Sequence, residues 1–220
     1  SDKNVRVIII SAEGTTFSSG HDLKELKKAR KNSDRGKKYY LKIMNKCSKM
    51  MQSIINNPKP VIAEVGGVAT AAGCQLVASC DLAYANTSAK FATPGVNIGL
   101  FCSTPMVAIS RNLSNKHSME MLLTGELISS EKAATIGLIN EVSQDDKLKN
   151  FVLNKAIKIS KKSAVTLKIG KKAFYKQIDM KLSDAYDYAS KTMVENMLKL
   201  DAKEGIDAFI NKRKPKWQDK

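Results

Sequence analysis

Between Val5 and Ala85, apolar runs alternate with two turns built almost wholly from small residues, and this alternation constrains the fold more than any other feature of the 220-residue chain. Val5 to Ile10 is a short, β-branched run and reads as a strand. Phe17-Ser18-Ser19-Gly20-His21-Asp22 follows it and leads into a short helix. Pro60 to Val65 reads as a strand buried on both faces, the turn from Gly66 to Gly73 leads into a helix over Ala72 to Ser79, and Asp81 to Ala85 is a further strand. Strand, helix, strand, helix, strand at this spacing implies an α/β fold with parallel pairing.

The remaining periodicities extend this layout. Ile43, Met44, Cys47, Met50, Met51, Ile54 and Ile55 recur at helical spacing, which predicts an amphipathic helix from Lys37 to Asn57 ended by Pro58. Its methionines are expected to fill the core. The basic segment Lys24 to Lys38 predicts a short helix running into a solvated loop. Beyond Leu123 the pattern is mainly helical. Ser130 opens a helix that stops at Gly137, Leu138 to Val142 reads as a strand, and three more helical segments with lysine-rich faces follow Asp145. The expected division is an α/β body over 1–144 and a helical region over 145–220.

Composition excludes several classes. A hydrophobic fraction of 43% with 26% charged residues belongs to an ordinary globular fold and not to a disordered chain. The least polar stretch, Val61 to Ala83, is interrupted by Glu64, Gln75 and Asp81, so no transmembrane helix is expected. Val5 to Ile10 is too short for a signal core and lacks a cleavage site, so no secretory signal is expected in it. Cys47, Cys74, Cys80 and Cys102 fit no CxxC pattern and read as buried thiols. With only His21 and His117, no zinc spacing exists. Dinucleotide, P-loop and nucleophile-elbow motifs are absent. A net charge of +16 (37 Lys and Arg against 21 Asp and Glu) suits nucleic acid, a small polyanionic ligand or mere solubility. No aromatic-basic motif supports nucleic acid.

The two turns carry the chemistry. Small residues let a ligand approach backbone N–H groups, and a helix N-terminus adds unsatisfied donors and a favourable dipole. Brought together, two such turns can present the pair of N–H donors that an enolate or a tetrahedral oxyanion needs. Tight packing alone also selects such turns.

At these residues the chain resembles the enoyl-CoA hydratase/isomerase (crotonase) superfamily, over nearly its whole length. Val5 to Ile10 with Phe17 to Leu26 is similar to the family's first oxyanion segment. Pro60 to Gly67, Ala69 to Leu76 and Cys80-Asp81 are similar to the second. Leu123 to Ser130, Ala133-Ala134 and Gly137 to Val142 match a downstream signature, and Glu204-Gly205, Ala208-Phe209 and Lys212-Arg213 a C-terminal helix. Phe17 to Leu26, Ala69 to Leu82 and Phe91 to Pro105 look especially like one mitochondrial branch of the superfamily.

The resemblance implies an α/β crotonase (ClpP-like) spiral of ββα units over 1–144, with a C-terminal helical trimerisation region over 145–220. Family members carry further strands and a helix ahead of the position of Val5, so N-terminal elements are expected outside this chain. The implied substrate is an acyl-CoA, with no cofactor beyond its coenzyme A moiety and no metal. The implied assembly is a homotrimer or a dimer of trimers. The implied setting is fatty-acid or acyl-CoA metabolism, in the mitochondrial matrix of a eukaryote or the cytoplasm of a bacterium.

Residue by residue, the resemblance puts the oxyanion donors at the backbone N–H groups of His21 and Ala72. It puts Ser19 and Gly20 among the residues that bind the substrate and its CoA, the backbone around Asp22 and Leu23 along the pantetheine arm, Lys24 near the CoA phosphates and Lys212 over the adenine of a neighbouring subunit. The two glutamates that deliver water in the family's hydratases fall at Gln75 and Gly95. Gln75 can hold a water but cannot exchange its proton near neutral pH, and Gly95 has no side chain, so ordinary hydratase chemistry is expected to be severely reduced. Two other outcomes fit: a non-catalytic acyl-CoA-binding or regulatory protein, or a decarboxylase of malonyl-type CoA esters. The methylmalonyl-CoA decarboxylases have a similar Ser-x-Gly-His-Asp turn, with a tyrosine near the position of Cys102. Cys102 itself is a candidate proton donor or reactive thiol. Glu64 reads as a satisfied or interface carboxylate, and Trp217 as a packing anchor for the tail.

Overall fold

A computed structural model describes Asp2 and residues 4–220. It divides into two compact units, one of residues 9–55 with 61–153 and one of the remaining described residues. One boundary between the units runs inside helix α7 (Leu148–Ser160). The reason is burial: Leu148 and Val152 of its first turns are core residues. Phe151 packs edge-on against Tyr84 with ring centroids 5.4 Å apart.

In the first unit the first six strands alternate between two four-stranded sheets. One has the order β1 (Ile8–Ser11), β3 (Val61–Val65), β5 (Leu82–Asn86), β8 (Glu141–Ser143). The other has β2 (Thr16–Ser18), β4 (Val68–Thr70), β6 (Lys90–Ala92), β7 (Ile128–Ser129). Each of β1, β3 and β5 is followed by a strand of the other sheet and then by helix. α1 (Leu23–Ala29) and α2 (Lys37–Ile55) follow β2, and α3 (Ala72–Ser79) follows β4. α4 (Ser103–Ile109) and α5 (Asn115–Thr124) follow β6, and α6 (Ser130–Thr135) follows β7. This is the spiral of ββα turns that the resemblance implied. β3 pairs parallel with β5 from Ile62↔Leu82 to Val65↔Ala85, and its apolar run is buried on both faces, as parallel sheets require.

The second sheet is what the sequence pattern hides. β2, β4 and β6 are three residues each, and β2 and β4 reach into the segments that read as turns. They nevertheless pair in parallel, with Thr16 opposite Val68 and Ala69 opposite Phe91. The last strand starts at Glu141, not at Leu138, because Leu138 and Ile139 turn their N–H groups back onto the Ala133 carbonyl (2.9 and 3.4 Å). All four cysteines are buried.

The second unit is helical. Four helices follow Asp145, not three: α7, then α8 (Ala164–Gln177), α9 (Leu182–Met197) and α10 (Leu200–Ile210). Only Leu198 and Lys199 separate α9 from α10, an interruption without glycine or proline to announce it. The tail is clasped within this unit. The buried Asp201 carboxylate accepts the N–H groups of Gln218 and Asp219 (2.7 and 3.0 Å). Trp217 donates its ring N–H to the Lys161 carbonyl (2.8 Å) and lies against Gly205, so the anchor uses a hydrogen bond as well as packing. Arg213 forks onto Glu204 at 2.6 and 2.8 Å; with the Lys216 N–H, this lowers the Glu204 carboxyl to about 2. Leu182, Tyr186, Met193 and Met197 of α9 and Phe209 of α10 are exposed. No helix among the described residues is long and apolar enough to cross a membrane.

Candidate active site

Because β2 and β4 are parallel neighbours, the turns that leave them end side by side. Their approach is set by missing side chains. A Cβ on Gly20, whose φ is +90°, would lie 3.0 Å from the Ala72 nitrogen, and one on Gly73 would lie 2.0 Å from the Ser18 carbonyl oxygen. Ala71 sits at φ 51°, ψ −119°, a conformation that L-residues rarely hold. It is pinned from both ends: its N–H donates to the Ala92 carbonyl (3.0 Å) and its carbonyl accepts the Gln75 N–H (3.0 Å). The kink places Ala72 at the first position of α3, where a backbone N–H has no intrahelical acceptor. Among the described residues, neither the Ala72 N–H nor the His21 N–H has a hydrogen-bond acceptor.

Two cavities meet at these residues. The larger, about 530 Å³, is walled by the end of the first turn, the second turn, Met44 and the segment from Pro94 to Pro105. The smaller, about 280 Å³, lies against α2 and α3 and is walled by Ile43, Cys47, Met50, Met51 and Leu76, with Lys46. His21 and Ala72 line both. Among the described residues, the larger cavity is lined by no carboxylate, lysine or arginine; its ionisable groups are His21 and Cys102. The His21 Nε2 is fully buried and has no partner among the described residues. Burial pushes the Cys102 thiol up, and a hydrogen bond from the Gly95 backbone opposes this in part. Cys74 is pushed up to about 12 by burial and by Cys102. Both are therefore neutral thiols near pH 7, not thiolate nucleophiles. A further cavity of about 580 Å³ lies in the helical unit, among Arg6, Lys59, Lys168 and Asp219.

The residues singled out from sequence separate into groups. Ser19, His21, Leu23, Ala72, Gly95 and Cys102 line the larger cavity, and Gly20 lines the smaller. Asp22 and Lys24 line neither: the Asp22 carboxylate accepts the Lys24 N–H (2.7 Å) and caps α1, and Lys24 is exposed. Gln75 is buried and borders a third cavity of about 300 Å³ between α2, α3 and α4, and its Oε1 takes the thiol of Cys47, a wall residue of the smaller cavity, at 3.8 Å. Gly95 is closed over by its own loop. A Cβ there would lie 2.5 Å from the Leu100 carbonyl oxygen and 2.9 Å from the Cys102 sulfur. Lys212 lies in the helical unit, just past α10, exposed and at φ 50°. Glu64 is half-buried in β3 and its carboxyl is raised by burial, with Lys149 opposing.

Sequence reasoning missed Lys46 and the exposed apolar stretch Ile98, Leu100 and Phe101 on the larger cavity. A signal for Lys46 was present: three and four residues from Ile43 and Met50, it shares their helical face. The methionines also divide. Met51 fills the core, whereas Met50 is exposed on the smaller cavity and Met44 faces the larger.

A model of the family described as enoyl-CoA hydratase/isomerase matches residues 1–220. Over 216 residues the chain is 51% identical to a Xenopus laevis protein named enoyl-CoA hydratase domain-containing protein 3, mitochondrial, covering 98% of this chain and 72% of that one. The Homo sapiens protein of the same name is 50% identical over 214 residues, covering 97% and 69%. A crystal structure of the human protein superposes with a TM-score of 0.91, covering 97% of this chain and 82% of that one.

Proposed function

Because the chain belongs to the enoyl-CoA hydratase/isomerase family, we propose that it binds an acyl-CoA thioester and stabilises the derived enolate between the His21 and Ala72 N–H groups. The observation that carries this is the pair of backbone donors without acceptors at the junction of two cavities. A thioester carbonyl seated there would have room for pantetheine on one side and its acyl group on the other. The dipole of α3 adds to the field on the carbonyl oxygen, and charge that develops there is met by donors already in place.

Water addition by paired glutamates does not fit this site. Among the described residues the larger cavity has no carboxylate, Gln75 lines neither cavity, and the backbone of Leu100 occupies the room that a side chain at 95 would need. General acid–base groups contribute typically about 10²–10⁴-fold each, so ordinary hydratase turnover is expected to be lower by at least that order. Restoring glutamates by Gln75→Glu with Gly95→Glu is not expected to recover it, since the second change requires the main chain to move.

The carboxylate-free cavity favours a second reading, decarboxylation of a malonyl-type CoA ester. The Cα–carboxylate bond breaks, CO₂ leaves, and the electron pair passes into the enolate held by the two amides. Cα then takes a proton, from the neutral Cys102 thiol where the acyl group lies in the larger cavity and from water where it lies in the smaller one. No base is needed to make the enolate. A non-catalytic acyl-CoA-binding or regulatory role is the limit of the same site when no bond breaks. The named relatives are mitochondrial, and the same setting is proposed here. The exposed apolar residues of α9 and α10 support self-association, for which the family's trimer is the proposed form.

Calorimetric titration with acetyl-CoA tests the binding claim. Micromolar binding that weakens with salt is expected, and no binding would overturn it. Turnover of crotonyl-CoA beside malonyl- and methylmalonyl-CoA then separates the three readings.

A further inference from the structure

The smaller cavity has a composition that the larger one lacks. Its walls are apolar (Ile43, Cys47, Met50, Met51 and Leu76), it opens on the His21 and Ala72 amides, and its one charged side chain is Lys46. Lys46 is exposed and has no ion-pair or hydrogen-bond partner among the described residues. An apolar cavity lined both by the two residues of the donor pair and by an unpaired cation matches an acyl chain that carries a carboxylate. A neutral acyl chain would leave the ammonium unused, whereas the larger cavity offers no cation to any carboxylate placed there.

We propose that Lys46 is a specificity-determining residue that selects thioesters whose acyl group ends in a carboxylate, with that group in the smaller cavity. This rests on the acyl-CoA reading above and adds the substrate class to it. A charge-assisted contact at the mouth of a partly open slot discriminates more than a surface ion pair but less than a buried one.

The test is calorimetry on the full chain and on Lys46→Met with three ligands: glutaryl-CoA, butyryl-CoA and free CoA. The unsubstituted protein is expected to bind glutaryl-CoA roughly 5- to 10-fold more tightly than butyryl-CoA. Lys46→Met is expected to abolish that preference while changing butyryl-CoA and CoA affinity by less than about 2-fold, and Lys46→Arg to retain it. Loss of affinity for all three ligands alike would place Lys46 on the CoA phosphates and overturn the proposal. CoA binding with no preference for glutaryl-CoA would overturn it too and leave the acyl-CoA reading standing. Failure of every ligand to bind the unsubstituted protein would overturn that reading and this proposal with it. Since Lys46 is exposed, the variant is expected to keep its helical circular dichroism.

Discussion

The two turns that build the donor pair reach an unusual backbone by opposite means. The first uses Gly20, which tolerates φ +90° and leaves the Ala72 nitrogen uncovered. The second puts Ala71, not glycine, at φ 51°, ψ −119°, and holds it there by hydrogen bonds at both ends. The first turn is thus permissive and the second is constrained. A constrained residue next to Ala72 fixes the direction of one donor, and a bare glycine next to His21 lets the other donor come close. The lesson is that the donor pair depends on main-chain geometry, so its weak points are places where a single methyl group matters.

The sharpest way to break this pairing is Gly73→Ala. The added Cβ would sit 2.0 Å from the Ser18 carbonyl oxygen, a backbone atom that cannot rotate away. A loss of about 3 kcal/mol or more is expected, read as a lower urea midpoint for the α/β unit. Gly20→Ala comes next. It strains the first turn by about 1–2 kcal/mol and pushes on the Ala72 nitrogen, so acetyl-CoA affinity should fall more than stability does. If affinity is unchanged while stability drops, the first turn is structural only. The smallest effect has the opposite sign. Ala71→Gly relieves the constrained residue but adds freedom to the unfolded chain, for a net gain of about 0.5–1 kcal/mol in thermal or urea unfolding. A loss there would mean that Ala71 is not strained as described.

How far these turns were legible in the sequence follows the same contrast. α3 was predicted with its observed limits, and α2 to within two residues, because long apolar periodicities override local detail. The turns themselves were visible as runs of small residues, and the resemblance named His21 and Ala72 within them. β2, β4 and β6 were not visible, since three-residue strands have too little pattern to separate from the turns they join. What lay beyond reach was direction. Gln75 and Ala72 are three residues apart on one short helix, yet Ala72 lines both cavities of the donor site and Gln75 neither, its Oε1 engaged by the Cys47 thiol. Gly95 reads as a missing side chain in the sequence. In the fold it is a close approach of the Leu100 backbone.

The most direct measurement of the central claim is the infrared carbonyl stretch of acetyl-CoA labelled with carbon-13 at the thioester, recorded free and bound. Two converging N–H donors polarise the carbonyl before any bond is made or broken. The account predicts a clear shift to lower frequency on binding, reduced in Gly20→Ala. A bound thioester whose stretch stays at its solution position would contradict it: the ligand would then be held elsewhere, and the two open amides would not be an oxyanion site.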